Sequence, residues 1–326
     1  MNNIRTGVIG VGSMGQNHAR VYSEISNLVA VSDLNSNQSQ KVANRFGVKS
    51  YNDYREMLRE VDAVTISTPT SLHREIAEEV VSSGVSILVE KPLADNVEDA
   101  EAIIEAAKAN DVTLAVGHIE RHNQVVKAAK ENIVKGTWGE ILTLSAKRLS
   151  NYPGRIRDVG VLFDLAIHDV DIISYLLDDT AINVYATGGK HRNKNYEDHV
   201  NLQINFGKGG IGICEANWLT PMKIRELSIT TNELFVRLDY LNQKIEVMSS
   251  TFGKINESNL YDTSIKLNRE VIDINGEEPL KNELLDFLSS LNSSSLPLVT
   301  GEDGLDAIKI VQAGFESLKS NRVVGI

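Results

Sequence analysis

The chain has a single cysteine, Cys214, among 326 residues. That excludes an internal disulfide framework and any zinc site built from several cysteines. Basic charge is also in short supply: 33 Lys and Arg stand against 44 Asp and Glu, a net charge of −11. So acidic a surface is a poor general partner for nucleic acid or an anionic membrane, which both need net positive charge. An anionic ligand would have to find a locally basic pocket. No apolar run approaches the roughly 18 residues of a membrane helix. The start, Met1-Asn2-Asn3-Ile4-Arg5, leads straight into an apolar strand pattern with no signal-peptide core. Internal repeats and long linkers are missing too, and the Ser/Asn-rich stretch 289–295 reads as a short loop. What remains is 42% hydrophobic and 24% charged, an ordinary globular composition with length for two domains. The expectation is a soluble, cytoplasmic protein.

Short, continuous, β-branched runs at 6–9, 28–31, 63–66, 87–89 and 113–116 read as strands buried on both faces, as in a parallel sheet. Amphipathic stretches at 16–25, 38–46, 72–82 and 97–109 separate them. Repeated βα units at this spacing predict a doubly wound α/β domain over residues 1–120. From 121 to 326 the texture changes. Runs at 142–147, 200–206, 212–217, 227–230 and 234–238 alternate, and Lys208-Gly209-Gly210 sits between two of them as a hairpin turn. The prediction is an α+β domain with an open, mostly antiparallel sheet and helices at 161–177 and 303–319.

Gly10-Val11-Gly12-Ser13-Met14-Gly15 is G-x-G-x-x-G. It follows a predicted strand and opens a predicted helix, the context a dinucleotide-binding turn requires. Gly10 permits the tight turn, Gly12 lets the backbone approach a pyrophosphate, and Gly15 allows close helix–strand packing. The helix N-terminus, with Ser13 and Met14 in its first turn, offers N–H groups to the phosphates. Asp33, eighteen residues past Gly15, would take the ribose hydroxyls and repel a 2′-phosphate. NAD is therefore the expected cofactor.

Glu90-Lys91-Pro92 falls at the C-terminal end of the fourth strand, the edge along which open α/β sheets bind ligands. Lys91 is a candidate acid–base group there. Ser67-Thr68-Pro69 ends the third strand in the same way, and Thr68, Pro69 and His73 either line the cofactor site or cap the next helix. In the second half, Asp164 and His168 are four apart on a predicted helix and so share a face. His is the natural proton acceptor near neutral pH, and a carboxylate can orient it. Asp171 beside His168 would suggest a metal, but a further ligand is lacking and no metal is expected.

Together these motifs resemble the glucose–fructose oxidoreductase/inositol dehydrogenase family (Gfo/Idh/MocA). The likeness covers the glycine fingerprint, Ser67-Thr68-Pro69, Glu90-Lys91-Pro92 and Asp164-Leu165-Ala166-Ile167-His168-Asp169. It implies an N-terminal Rossmann domain and a C-terminal domain whose open sheet serves substrate binding and oligomerisation, as a dimer or tetramer. It further implies oxidation of a ring hydroxyl of a sugar or cyclitol with NAD(P). By motif match it places Lys91, Asp164 and His168 on catalytic positions, and Glu90 beside the cofactor. Gly117 to Asn123, Arg157 to Val161, Glu215 to Pro221 and Val299 to Gly304 are similar to members acting on UDP-N-acetylglucosamine, which implies C3 of a nucleotide sugar. Gln124 departs from that pattern, where a proline often follows the Asn.

Local charge agrees with a diphosphate. Lys147, Arg148, Arg155 and Arg157 form one basic island, and Lys190, His191, Arg192 and Lys194 form another. The expected substrate contacts are Lys91, Arg121, Asn123, Arg148, Arg155, Arg157 and His168. A dehydrogenase of inositol or a free sugar would not need these islands. A non-catalytic NAD-binding regulator would have little use for Lys91 with Asp164 and His168.

Overall fold

A computed structural model describes residues 3–154, 159–253, 258, 265–293 and 295–326. The chain forms two compact units, Met1–His122 with Glu277–Lys309, and Asn123–Gly276 with Ile310–Ile326.

In the first unit, β1 (Arg5–Ile9), β2 (Asn27–Ser32), β3 (Lys49–Tyr51), β4 (Ala63–Ile66), β5 (Ser86–Glu90) and β6 (Leu114–Gly117) pair in the order β3-β2-β1-β4-β5-β6. Every pairing is parallel. Helices α1 (Ser13–Ile25), α2 (Ser36–Phe46), α3 (His73–Ser82) and α4 (Val97–Ala109) make the crossovers. β4 is buried at all four residues, which is why its sequence shows no alternation. Asn35 and Asn96 cap α2 and α4 by accepting main-chain N–H bonds. The strand order reverses between β1 and β4, so the C-terminal ends of these strands flank a crevice.

The second unit opens with α5 (Gln124–Val134) and contains a nine-stranded sheet. Its strands are β7 (Ile141–Asn151), β8 (Ala181–Gly189), β9 (His199–Phe206), β10 (Ile211–Asn217), β11 (Leu219–Thr231), β12 (Phe235–Asp239), β13 (Lys244–Phe252), β14 (Ile265–Asp273) and β15 (Val324–Gly325). Their order is β14-β13-β12-β11-β7-β10-β9-β8-β15. All pairings are antiparallel except β7 with β10. On β7, Leu144, Ala146 and Arg148 are buried while Lys147 faces out. A π turn at Leu162–Ala166 runs directly into α6 (Ile167–Leu177). α6 packs on the buried face, where a Cβ at Gly212 would fall 2.8 Å from Ile173.

A cut at residue 120 does not describe these units, because the chain returns to the first one. α7 (Pro279–Ser293) buries Leu280, Leu284, Phe287 and Leu288 in the same core as Val8, Val31 and Leu88. It also makes most of the stretch 289–295 helical, where a loop was expected. α8 (Gly301–Ser320) follows, opened by a capping box in which Thr300 and Asp303 exchange side-chain and main-chain bonds. Among the described residues no helix is long and apolar enough to cross a membrane.

Candidate active site

The glycine loop joins β1 to α1. Gly10 has φ +83°, and a Cβ there would lie 2.9 Å from the Ser67 main chain. Gly15 has less room still, since its Cβ would fall 1.9 Å from the Gly10 carbonyl oxygen. Gly12 is different: nothing lies within 4 Å of its Cβ position. It occupies the N-cap of α1 with no side-chain cap, so no capping side chain competes for the first-turn N–H groups. The Asp33 carboxylate is pinned by the Val11 N–H at 2.9 Å and the Asn35 N–H at 2.9 Å. Gly10, Gly12, Asp33, Leu34, Thr68 and Pro69 all line one cavity of about 320 Å³. An open glycine step, uncapped helix N–H groups and a fixed carboxylate fit a dinucleotide's pyrophosphate and ribose.

The neighbouring strand ends are tied together by buried polar side chains. Ser67 Oγ donates to the Gly10 carbonyl at 2.6 Å. His73 is buried, with Nε2 3.0 Å from the Thr68 carbonyl and Nδ1 3.0 Å from the Pro92 carbonyl. Burial pushes its ring below the usual histidine value, against the pull of those carbonyls toward the charged form. Of the two readings left open for His73, cofactor lining or local capping, the geometry supplies a third: it clamps two loops together. Glu90 is likewise engaged internally. Its Oε1 lies 2.8 Å from Nε2 of buried His18, and its Oε2 accepts the Lys91 N–H at 3.2 Å. The Lys91–Pro92 peptide is cis, and Lys91 is half-buried.

In the second unit Asp164 lies inside the π turn rather than on regular α-helix, and His168 is the second residue of α6. The two therefore do not share one regular α-helix. Both are half-buried. Among the described residues, no three His, Cys, Asp or Glu side chains gather as a metal-ligand group, so His168 and Asp171 gain no third ligand there.

Three expected substrate contacts also make bonds within the fold. Arg148 is 1% exposed and makes a bidentate pair with Asp169 at 2.9 and 2.8 Å. Arg121 is buried against Asp303 at 3.0 Å. Asn123 caps α5 and accepts from Gln243 at 2.9 Å. Each has a polar head that burial requires to be paired, and each makes at least one such pair within its own unit. Arg155 and Arg157 lie outside the described residues. Lys147, Lys190, His191, Arg192 and Lys194 are exposed. The main-chain N–H groups of residues 191–193 converge on the buried Asp198 carboxylate. Burial alone would raise Asp198, but His199 and these donors hold it at about 2.

His18, Glu197 and Asp303 escaped the sequence reading. A signal existed for His18, which stands three residues past the fingerprint on the inner face of a helix, and for Asp303, in T-x-x-D before an apolar helix. Glu197 has no local signature.

Residues 4–118 match the model of an oxidoreductase family with an NAD-binding Rossmann fold, and residues 126–235 match the GFO/IDH/MocA C-terminal domain. The chain is 30% identical to the UDP-N-acetylglucosamine 3-dehydrogenase of Acidithiobacillus ferrooxidans, over 89% of this chain and 90% of that one. A solved structure of that enzyme superposes with a TM-score of 0.87, covering 98% of this chain and 99% of that one at 27% identity. The myo-inositol 2-dehydrogenase of Thermotoga maritima is 29% identical over 98% of both chains. With both family domains in order along it and such a relative across most of its length, the chain belongs to the GFO/IDH/MocA family of oxidoreductases and carries that family's NAD-binding Rossmann domain.

Proposed function

We propose that the protein is an NAD-dependent dehydrogenase that oxidises a ring hydroxyl, at C3, of a nucleotide sugar such as UDP-N-acetylglucosamine. The observation that carries this reading is the likeness to the A. ferrooxidans enzyme, which runs through both halves of the chain and extends to the fold. Bound NAD supplies the hydride acceptor. Gly10, Gly12, Ser13, Met14 and Gly15 hold its pyrophosphate, and Asp33 holds its ribose. Lys91 or His168 takes the hydroxyl proton, the other steadies the developing alkoxide, and Asp164 orients the pair. The exposed loop with Lys190, Arg192 and Lys194 supplies charge for a diphosphate. The open sheet of the second unit mediates a homodimer or tetramer in the cytoplasm.

A second reading, oxidation of inositol or another uncharged ring, draws support from the T. maritima relative. It also draws support from the ion pairs of Arg121 with Asp303 and Arg148 with Asp169, which offset part of the charge a diphosphate would use.

The deciding experiment screens UDP-sugars, free sugars and inositols for NADH formation, with wild type and with Lys190→Glu/Arg192→Glu/Lys194→Glu. The nucleotide-sugar reading expects turnover of a UDP-sugar and at least a tenfold higher KM for it in the triple variant, as ~1.4 kcal/mol of lost charge pairing would give. Turnover of inositol with UDP-sugars inert would overturn it. Lys91→Met should cut turnover by at least about a hundredfold while NADH still binds.

A further inference from the structure

The proton-handling residues of the second unit sit at a helix start, and helix starts leave main-chain N–H groups without internal partners. Here the start is also irregular, because Leu162–Ala166 is a π turn. One residue from the strand side takes the first two donors. The Val161 N–H donates to the Glu197 carbonyl at 3.0 Å, and the Leu162 N–H donates to Glu197 Oε1 at 3.1 Å. Glu197 is 4% exposed. Its carboxyl fills the space beside Gly160 so closely that a Cβ there would fall 1.9 Å from Oε1 and 2.1 Å from Cδ. The Gly160 carbonyl in turn accepts the Asp164 N–H at 3.1 Å. The glycine, the carboxyl and the α-type bond that leads into the π turn therefore form one interlocked set.

We propose that Glu197 is a positioning residue for Asp164 and His168, fixing where the π turn begins by accepting the Leu162 N–H against a gap that only Gly160 leaves. This rests on the reading in which Asp164 and His168 handle the substrate proton. Removing the acceptor frees the Leu162 N–H to seek another partner. The turn then shifts toward regular α-helix, carrying Asp164 out of place with respect to His168. A misplacement of about 1 Å can cost on the order of a hundredfold in rate without abolishing binding.

The test compares Glu197→Gln, which keeps an acceptor oxygen, with Glu197→Met, which keeps the length and loses it. kcat, KM, the NADH Kd by fluorescence titration and thermal melting are measured for each. The proposal expects Glu197→Met to lower kcat at least tenfold, with the NADH Kd and the sugar KM within about threefold of wild type. Glu197→Gln should restore kcat to within about threefold. Gly160→Ala should also lower kcat, and Gly160→Ala/Glu197→Ala should be no slower than Glu197→Ala alone, because the collision has gone. Unchanged kcat in Glu197→Met, equal loss in Gln and Met variants, or strict additivity at Gly160 would each overturn it. His168→Asn is run alongside. If it keeps full turnover, the proton role of His168 fails and this inference fails with it. If it is slow while Glu197→Met is not, only the positioning role fails.

Discussion

His18 on α1 and Glu90 at the end of β5 meet through a 2.8 Å contact, both side chains shielded from solvent. The contact joins the helix that the glycine fingerprint opens to the turn that presents Lys91, whose N–H the same carboxylate accepts. Burial alone would raise the Glu90 carboxyl, but His18 and Lys91 hold it below its usual value. A depressed carboxyl stabilises the fold above the ordinary carboxylate range and loses that contribution as pH falls. His18→Leu should therefore cost about 3 kcal/mol near neutrality by leaving Glu90 buried and unmatched. Denaturant melts should show the deficit shrinking on acidification below about pH 4.5, the ordinary range for Glu.

Gly12 and Gly15 belong to one motif but differ in what a side chain would strike. At Gly12 there is only open space, so Gly12→Val should leave Tm nearly unchanged and raise the NADH Kd at least tenfold by obstructing the pyrophosphate. At Gly15 a methyl meets the Gly10 carbonyl oxygen, so Gly15→Ala should lower Tm as well. Melting curves paired with NADH titrations separate the two.

Arg148 is a test of internal commitment. Arg148→Met takes the bidentate partner from buried Asp169 and should cost about 3–5 kcal/mol. Arg148→Met/Asp169→Leu removes both charges and should recover most of that loss. Urea unfolding of the single and double variants measures the difference. If Arg148 instead served the substrate, the single variant would keep its stability and raise KM.

Glu283 on α7 is 2% exposed, and neither carboxyl oxygen has a hydrogen-bond partner. Burial, then Glu90 and Asp286, push it well above its usual value. The native state thus keeps a proton that the unfolded chain releases, so between the ordinary and the raised value stability falls as pH rises. Glu283→Gln has no such proton to lose. It should stabilise the protein at pH 8, with the gain fading toward pH 5. A gain equal at both pH values would contradict the protonated state.

The first sheet was legible because strands buried on both faces leave unbroken β-branched runs, as at Ala63–Ile66. The helix at Pro279–Ser293 carried a signal in Leu280, Leu284, Phe287 and Leu288, at helical spacing, but its Ser/Asn-rich end masked it. β14 is exposed along its whole length, and its alternation at Ile265, Leu267 and Val271 is short and broken by Arg269. The glycine loop and the ends of β4 and β5 were readable because their chemistry is local in sequence. Arg148 shows the limit of counting charges. It clusters with Lys147 in sequence, yet strand alternation turns one inward and the other outward, and the buried partners at 144 and 146 were the clue. Glu197 lies 35 residues from the N–H it caps, and nothing near it announces that pairing.

The return of Glu277–Lys309 to the first unit sets a timetable for synthesis. When the ribosome has finished residue 122, all six strands of the first sheet exist, but the apolar surface that Leu284 and Phe287 will cover is still bare. It stays so until more than 150 further residues have emerged, roughly 8 to 35 s at about 5–20 residues per second. A nascent chain stalled in that interval should be the form most attractive to chaperones and most prone to aggregate.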